Sequence, residues 1–176
     1  VELANGDVVF VVNADEGNGG APLDGSAVLR PEGTRIVLVR LSSTGTPVAS
    51  FGTDGRAIVD LGWTSEDEAA FPVPALNAER TALATGATGF PRDSAWSIAL
   101  DATSAEEKIV VFAAGPAPLD ATAATQRVDN DRYVQRVLAS TGAADPTFNG
   151  GKPFTYTTPG TLSDGVRNGE VEPDGS

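Results

Sequence analysis

The sequence predicts an all-β fold built from repeated antiparallel hairpins, and three observations carry that expectation. The apolar residues gather in short β-branched runs such as Val8–Val12, Ile36–Leu41 and Ile109–Ala114, the composition of strands. Gly (20) and Pro (12) punctuate 176 residues as many short elements joined by turns require. The third observation is that one stretch occurs twice. Ala21-Pro22-Leu23-Asp24 returns as Ala117-Pro118-Leu119-Asp120, and Ser43-Thr44-Gly45 and Phe51 return as Ser140-Thr141-Gly142 and Phe148. Gly55-Arg56 answers to Gly151-Lys152, and the offset stays at 96 or 97 residues. A period held that closely marks a tandem structural unit. The expected organisation is a first unit over 1–92, a second over 93–162, and the truncated start of a third over 163–176.

Taken in order, Val1–Asn13 reads as a hairpin arm. Asn5-Gly6 turns the chain into the β-branched and aromatic run Asp7–Val12. Asn13–Gly20 is an acidic, glycine-rich loop. Ile36–Leu41 is apolar almost without interruption, which predicts a strand buried on both faces. Ser42–Gly45 turns, Phe51–Gly55 makes a second turn anchored by one aromatic, and Ala57–Leu61 is a short strand. Trp63–Ala70 has helix-start chemistry, with Glu66-Asp67-Glu68 at the positive end of the dipole, until Pro72 and Pro74 stop it. Val73–Leu76 and Thr81–Gly86 read as a strand pair. Trp96, Ile98 and Leu100 alternate with Ser97 and Ala99, which predicts a half-buried strand with Trp96 in the core. Lys108–Ala114 is its hairpin mate.

Within Asp120–Ser140, Tyr133, Val134, Val137 and Leu138 fit a helical face as well as a strand. The duplication decides for strand, because these residues take the slots of Ile36, Val37, Arg40 and Leu41. Phe154–Thr157 repeats Ala57–Leu61. The tail from Ser163 begins the hairpin that Glu66–Glu79 began and halts at its turn. It is expected to leave an unpaired terminal strand open to a protein partner or to self-association.

Charge and composition exclude several functions. Lys+Arg 12 against Asp+Glu 24 gives a formal net charge of −12, which repels nucleic acid and anionic lipid. Cys and His are absent, removing disulfides, thiolate nucleophiles and the commonest general base and transition-metal ligand. The apolar runs are too short to span a membrane as helices. The chain opens on Val1 rather than Met, as a processed product or a fragment would.

Arg40-Leu41-Ser42-Ser43-Thr44-Gly45 followed by Ser50-Phe51-Gly52-Thr53-Asp54-Gly55 resembles the delta-60 repeat of bacterial surface and secreted proteins. The second copy keeps Asp145-Pro146-Thr147-Phe148 and Gly150-Gly151, and Pro173-Asp174-Gly175-Ser176 fits the family's Asp-Gly hairpin slot. The sequence departs from the pattern at Val48, where the family prefers Asp, and at Asn149, where it has Gly. Val137 stands where the first copy has Arg40, and the spacing is longer than the family's. The resemblance implies a partial β-propeller-like array of antiparallel hairpins outside the cytoplasm, whether secreted, periplasmic or on the cell surface. It implies no catalytic residue. Independently of it, a glycine-flanked aromatic lets the chain bend while Phe51 or Phe148 plugs the core beneath.

Phosphate-cradling and nucleophile-elbow motifs are absent, since Pro153 follows Gly151-Lys152 and no His stands by to activate a serine. Calcium is the sharper candidate chemistry. Asn13 and Asp15 lie in an acidic glycine loop, and Asp129-Asn130-Asp131 is a compact oxygen cluster; turn hydrogen bonding explains the same residues without a metal. Trp63, beside Gly62 at a strand exit, is the candidate ligand contact. The expected function is a non-enzymatic structural or protein-interaction module without a cofactor. The alternatives are a calcium-dependent module binding glycan or protein, and an enzyme using paired carboxylates.

Overall fold

The structure, a computed structural model, describes residues 1–15, 34–61, 94–116, 130–156 and 168–174. These residues form two antiparallel sheets with almost no helix. The first joins β1 (Val8–Asp15), β2 (Thr34–Leu41) and β3 (Arg56–Val59) in that order. The second joins β4 (Ser94–Asp101), β5 (Lys108–Pro116), β6 (Asn130–Leu138) and β7 (Phe154–Tyr156), again in chain order. The all-β expectation and the strand reading of 130–138 both stand. No helix among the described residues is long and apolar enough to cross a membrane. The expected helix at 63–70, the strands at 73–76 and 81–86, and Trp63 and Asp129 lie outside the described residues.

Alternation sorts each strand into two faces. In the first sheet Val9 pairs with Arg40 and Val11 with Leu38, while Ala57 and Val59 pair with Leu38 and Ile36. In the second, Ile109 pairs with Val137, Val111 with Ile98, and Ala113 with Tyr133. These two faces meet in one apolar core, with Ile36, Leu38, Ile109 and Val111 fully buried. Each such side chain contributes about 1.5–3 kcal/mol by leaving water. Val37 is also buried although it faces away from that core, so the continuous apolar run of β2 is covered on both sides at its centre. Ahead of β1, Val1–Leu3 lies alongside it, Val9 N–H donating to the Val1 carbonyl at 2.9 Å and Gly6 turning at φ +82°.

Trp96 corrects the sequence expectation. The β4–β5 register slips between Ala95 and Ser97, and Trp96 is 51% exposed rather than in the core. One extra residue in the ladder reverses the alternation behind it, so Ala95, Ile98 and Leu100 share the inner face and the Trp between them does not.

The turns after β2 and β6 supply a second correction. The Arg40 carbonyl accepts from Val48 N–H at 3.0 Å, and the Arg136 carbonyl accepts from Asp145 N–H at 2.9 Å. Leu41 likewise bridges Pro47, and Val137 bridges Ala144. The backbone counterpart of Arg40 is therefore Arg136, not Val137, and the second turn is one residue longer. At the aromatic corners Phe51 is fully buried, as a core plug should be, whereas Phe148 is only half-buried. In the tail, residues 168–172 join no described ladder, and Gly169 lies against the Phe112 ring on the outer face of the second sheet.

Candidate functional site

The polar chemistry of the described chain gathers at two arginines. Arg40 is the last inner-face residue of β2, and there Asp7 Oδ2 accepts from both Nε (2.9 Å) and Nη2 (2.6 Å). Its Nη1 crosses to the other sheet and donates to the Ala139 carbonyl at 2.6 Å. Arg136, on the outer face of β6, is held by two buried acids. Nε donates to Asp145 Oδ2 at 2.7 Å and Nη1 to Asp101 Oδ2 at 3.2 Å. Nη2 reaches Thr147 Oγ1 at 3.1 Å, and the guanidinium carbon stands 5.2 Å from the Phe148 ring centroid, a cation–π distance.

The two acids are built alike. Asp101 Oδ1 accepts the backbone N–H (3.1 Å) and hydroxyl (2.6 Å) of Thr103, and Asp145 Oδ1 accepts those of Thr147 at 2.9 and 2.8 Å. Burial pushes each carboxyl upward, but the threonine bonds and Arg136 outweigh it and hold both below the ordinary carboxylate range. Asp7 is lowered too, chiefly by its hydrogen bonds to Arg40. Carboxylates so committed to partners are poor general acids or bases at neutral pH. Their geometry is that of a clamp fixing the turns. The Asp-x-Thr spacing of Asp101 and Asp145 was the signal in the sequence that could have found it.

The other sequence candidates are dispersed. Asn13 has its amide committed to the bulge of β4, its Oδ1 accepting Ala95 N–H (2.8 Å) and its Nδ2 donating to the Ala95 carbonyl (3.0 Å) and Ser94 Oγ (3.3 Å). The side-chain amide thus imitates a strand edge and ties β1 to β4. Asp15 ends β1 opposite Thr34, and Asn130 opens β6 opposite Pro116 in the other sheet. Asp131 is fully buried beside Gly115 in that ladder. Among the described residues no three acidic side chains converge as a metal centre requires.

Among the described residues, two rows of apolar side chains also stand exposed. Val8, Phe10 and Val12 stand exposed on the outer face of the first sheet, in line with Val37, Val39 and Leu41. Phe154 and Tyr156 stand exposed on the outer face of the second, where Arg132 lies 5.7 Å from the Tyr156 ring centroid. Where the sheets meet, Gly52 N–H donates to the Thr141 carbonyl at 2.8 Å, and the Phe51 ring packs on Gly142. An open groove of about 540 Å³ runs beside this contact, lined by Thr53, Asp54, Arg56 and Thr141 among others. Comparison of the chain with protein-family profiles, curated proteins and solved structures found no match.

Proposed function

We propose that the chain is a non-enzymatic structural and protein-interaction module, made of two units of a repeat array whose sheets stack face on face. The observation that carries this reading is the correspondence of the two ladders. The β1–β2 ladder runs from Val8↔Leu41 to Asp15↔Thr34, and the β5–β6 ladder contains Ile109↔Val137 and ends at Pro116↔Asn130. Ile36↔Val59 and Leu38↔Ala57 have Arg132↔Tyr156 and Val134↔Phe154 as counterparts. One constant offset, 96 residues, relates β2 to β6, and the longer turn makes it 97 beyond. The same pairing flanks the recurring Ser-Thr-Gly turn and Phe corner, which favours a duplicated unit over two unrelated sheets.

The resemblance to delta-60 repeats adds a secreted or cell-surface setting and a propeller-like array to this reading. The role of the Asp that the family prefers is intelligible here, since Asp145 both caps the turn and anchors Arg136. Melting with and without calcium, together with a glycan-hydrolysis panel, tests the proposal. The expected result is one cooperative transition unmoved by millimolar calcium or by chelator, and no turnover. A midpoint that rises with calcium would replace it with a calcium-dependent binding module, and turnover would replace it with an enzyme.

A further inference from the structure

The two exposed apolar faces are counterparts of the two faces already buried against each other inside the chain. Under the ladder correspondence, Val8, Phe10 and Val12 match Ile109, Val111 and Ala113. The first three are 42%, 40% and 39% exposed, and the second three are 0% exposed because the first sheet covers them. On the other side Phe154 and Tyr156 match Ala57 and Val59. Here too the exposed pair, at 50% and 51%, answers to a buried pair at 5% and 2%.

The corners repeat the relation. Gly142 is closed off by Phe51, since a Cβ built there would stand 3.1 Å from Phe51 Cζ. Its counterpart Gly45 has nothing within 4 Å of a Cβ, and Phe148, the counterpart of Phe51, is half-buried. These parts of the internal interface are therefore present a second time without a mate, whereas β4, which β1 and β2 also meet, has no counterpart among the described strands of the first sheet.

We propose that a second copy of this chain docks head to tail on the outer face of β1–β2, through the outer face of its β6–β7 strands and its Phe148 corner. Phe148 and Phe154 of the incoming copy cover Gly45 as Phe51 and Ala57 cover Gly142, and the rest of its β6–β7 face lies over the row of Phe10 and Val12. The argument is continuity with the internal interface: the same pairing register and the apolar residues named above, carried one step outward, with Arg132 standing where the first sheet has Ile36. Gly169 covers the β5 side of the donating face at Phe112, while Phe154 and Tyr156 on the β7 side stay exposed. Such a contact joins unlike patches, so it propagates rather than closing as a symmetric dimer. The inference rests on the stacked-unit reading above.

Sedimentation across concentration tests it, at a salt level that screens the repulsion between copies of net charge −12. The expected result is concentration-dependent association that Phe10→Asp weakens by about tenfold or more, a charge being placed in an apolar contact. The chain has no cysteine, so single cysteines report the geometry. Thr44→Cys and Asn149→Cys are the counterparts of Thr141 and Gly52, whose backbones touch. Mixed under oxidant, these two variants should cross-link to each other and neither to itself. A monomer at every concentration overturns the proposal, as does association that Phe10→Asp leaves unchanged or a Thr44→Cys self-cross-link. None of these outcomes would disturb the internal stack, which melting reports separately.

Discussion

The ring of Phe51 rests on the Cα of Gly142, and the corner of one sheet thereby locks into the turn of the other. Gly142 has φ +74°, and a Cβ there would also collide with Ala57. Gly142→Ala therefore carries two penalties: about 1–2 kcal/mol for the left-handed backbone and about 1–3 kcal/mol for overpacking. Gly45→Ala shares the left-handed backbone (φ +82°) but meets open space, so it carries only the first. Urea unfolding of the two variants at dilute concentration should give a clearly larger loss for Gly142→Ala. Equal losses would mean that the corner makes room for an added methyl group without cost.

The two corner phenylalanines should differ in the same assay. Phe51 is fully buried in the shared core, so Phe51→Ala should lose about 3–5 kcal/mol, the range for a large aromatic removed from a core. Phe148 is half-buried and rests against the Arg136 guanidinium. Phe148→Ala should lose about 1 kcal/mol, the scale of an exposed cation–π contact and partial burial.

Arg136 is the cation shared by two acids that have almost no solvent contact. Arg136→Met leaves Asp101 and Asp145 buried without their shared ion pair, at about 3 kcal/mol, the lower end for a broken buried pair because the guanidinium keeps some contact with water and Lys108 still attracts Asp101. Adding Asp101→Asn and Asp145→Asn to that variant should recover much of the loss, because no buried charge remains. If the triple variant is no more stable than Arg136→Met, electrostatics is not what the clamp supplies.

The same acids fix the sign of the pH dependence. Their native pKa values lie below the ordinary carboxylate range. The stability they contribute is therefore complete above the unfolded value of about 3.9, and it is lost as pH falls through the lower native values. The unfolding free energy should be level near neutrality and decline below about pH 4. Asp145→Asn should be less stable than the parent at pH 7, and the gap should narrow as the solution is acidified. A gap that is constant with pH would contradict the linkage.

The strands were legible because their signals are local. Val8–Val12 and Lys108–Ala114 are β-branched runs that need no context, and the recurrence of short sequence motifs resolved β6, where the apolar spacing fitted a helix as well. Trp96 was misread because a bulge leaves no mark on composition, and a period of two cannot detect one added residue. Arg136 was overlooked for a related reason: a single insertion in the turn lets residue-by-residue alignment put Val137 opposite Arg40, while the hydrogen bonds put Arg136 there. The Asn13 contact was beyond reach, since Ala95, its partner, lies 82 residues away.

Asn13 separates the two meanings of its own position. As a calcium ligand it would be improved, or at least unharmed, by a carboxylate. In the structure its amide both accepts from Ala95 N–H and donates to the Ala95 carbonyl. A carboxylate at the same place keeps the first bond and turns the second into a contact between two acceptors. Asn13→Asp should therefore destabilise the protein by about 1–3 kcal/mol, as expected for a buried carbonyl deprived of its donor, and millimolar calcium should not restore the loss. Asn13→Ala should lose a comparable amount by leaving both Ala95 groups without the amide. Thermal midpoints of the three proteins with calcium and with chelator decide the matter. A calcium-dependent rise confined to Asn13→Asp would show that the loop had been one charge short of a metal site, and the strand-tie account of Asn13 would fall.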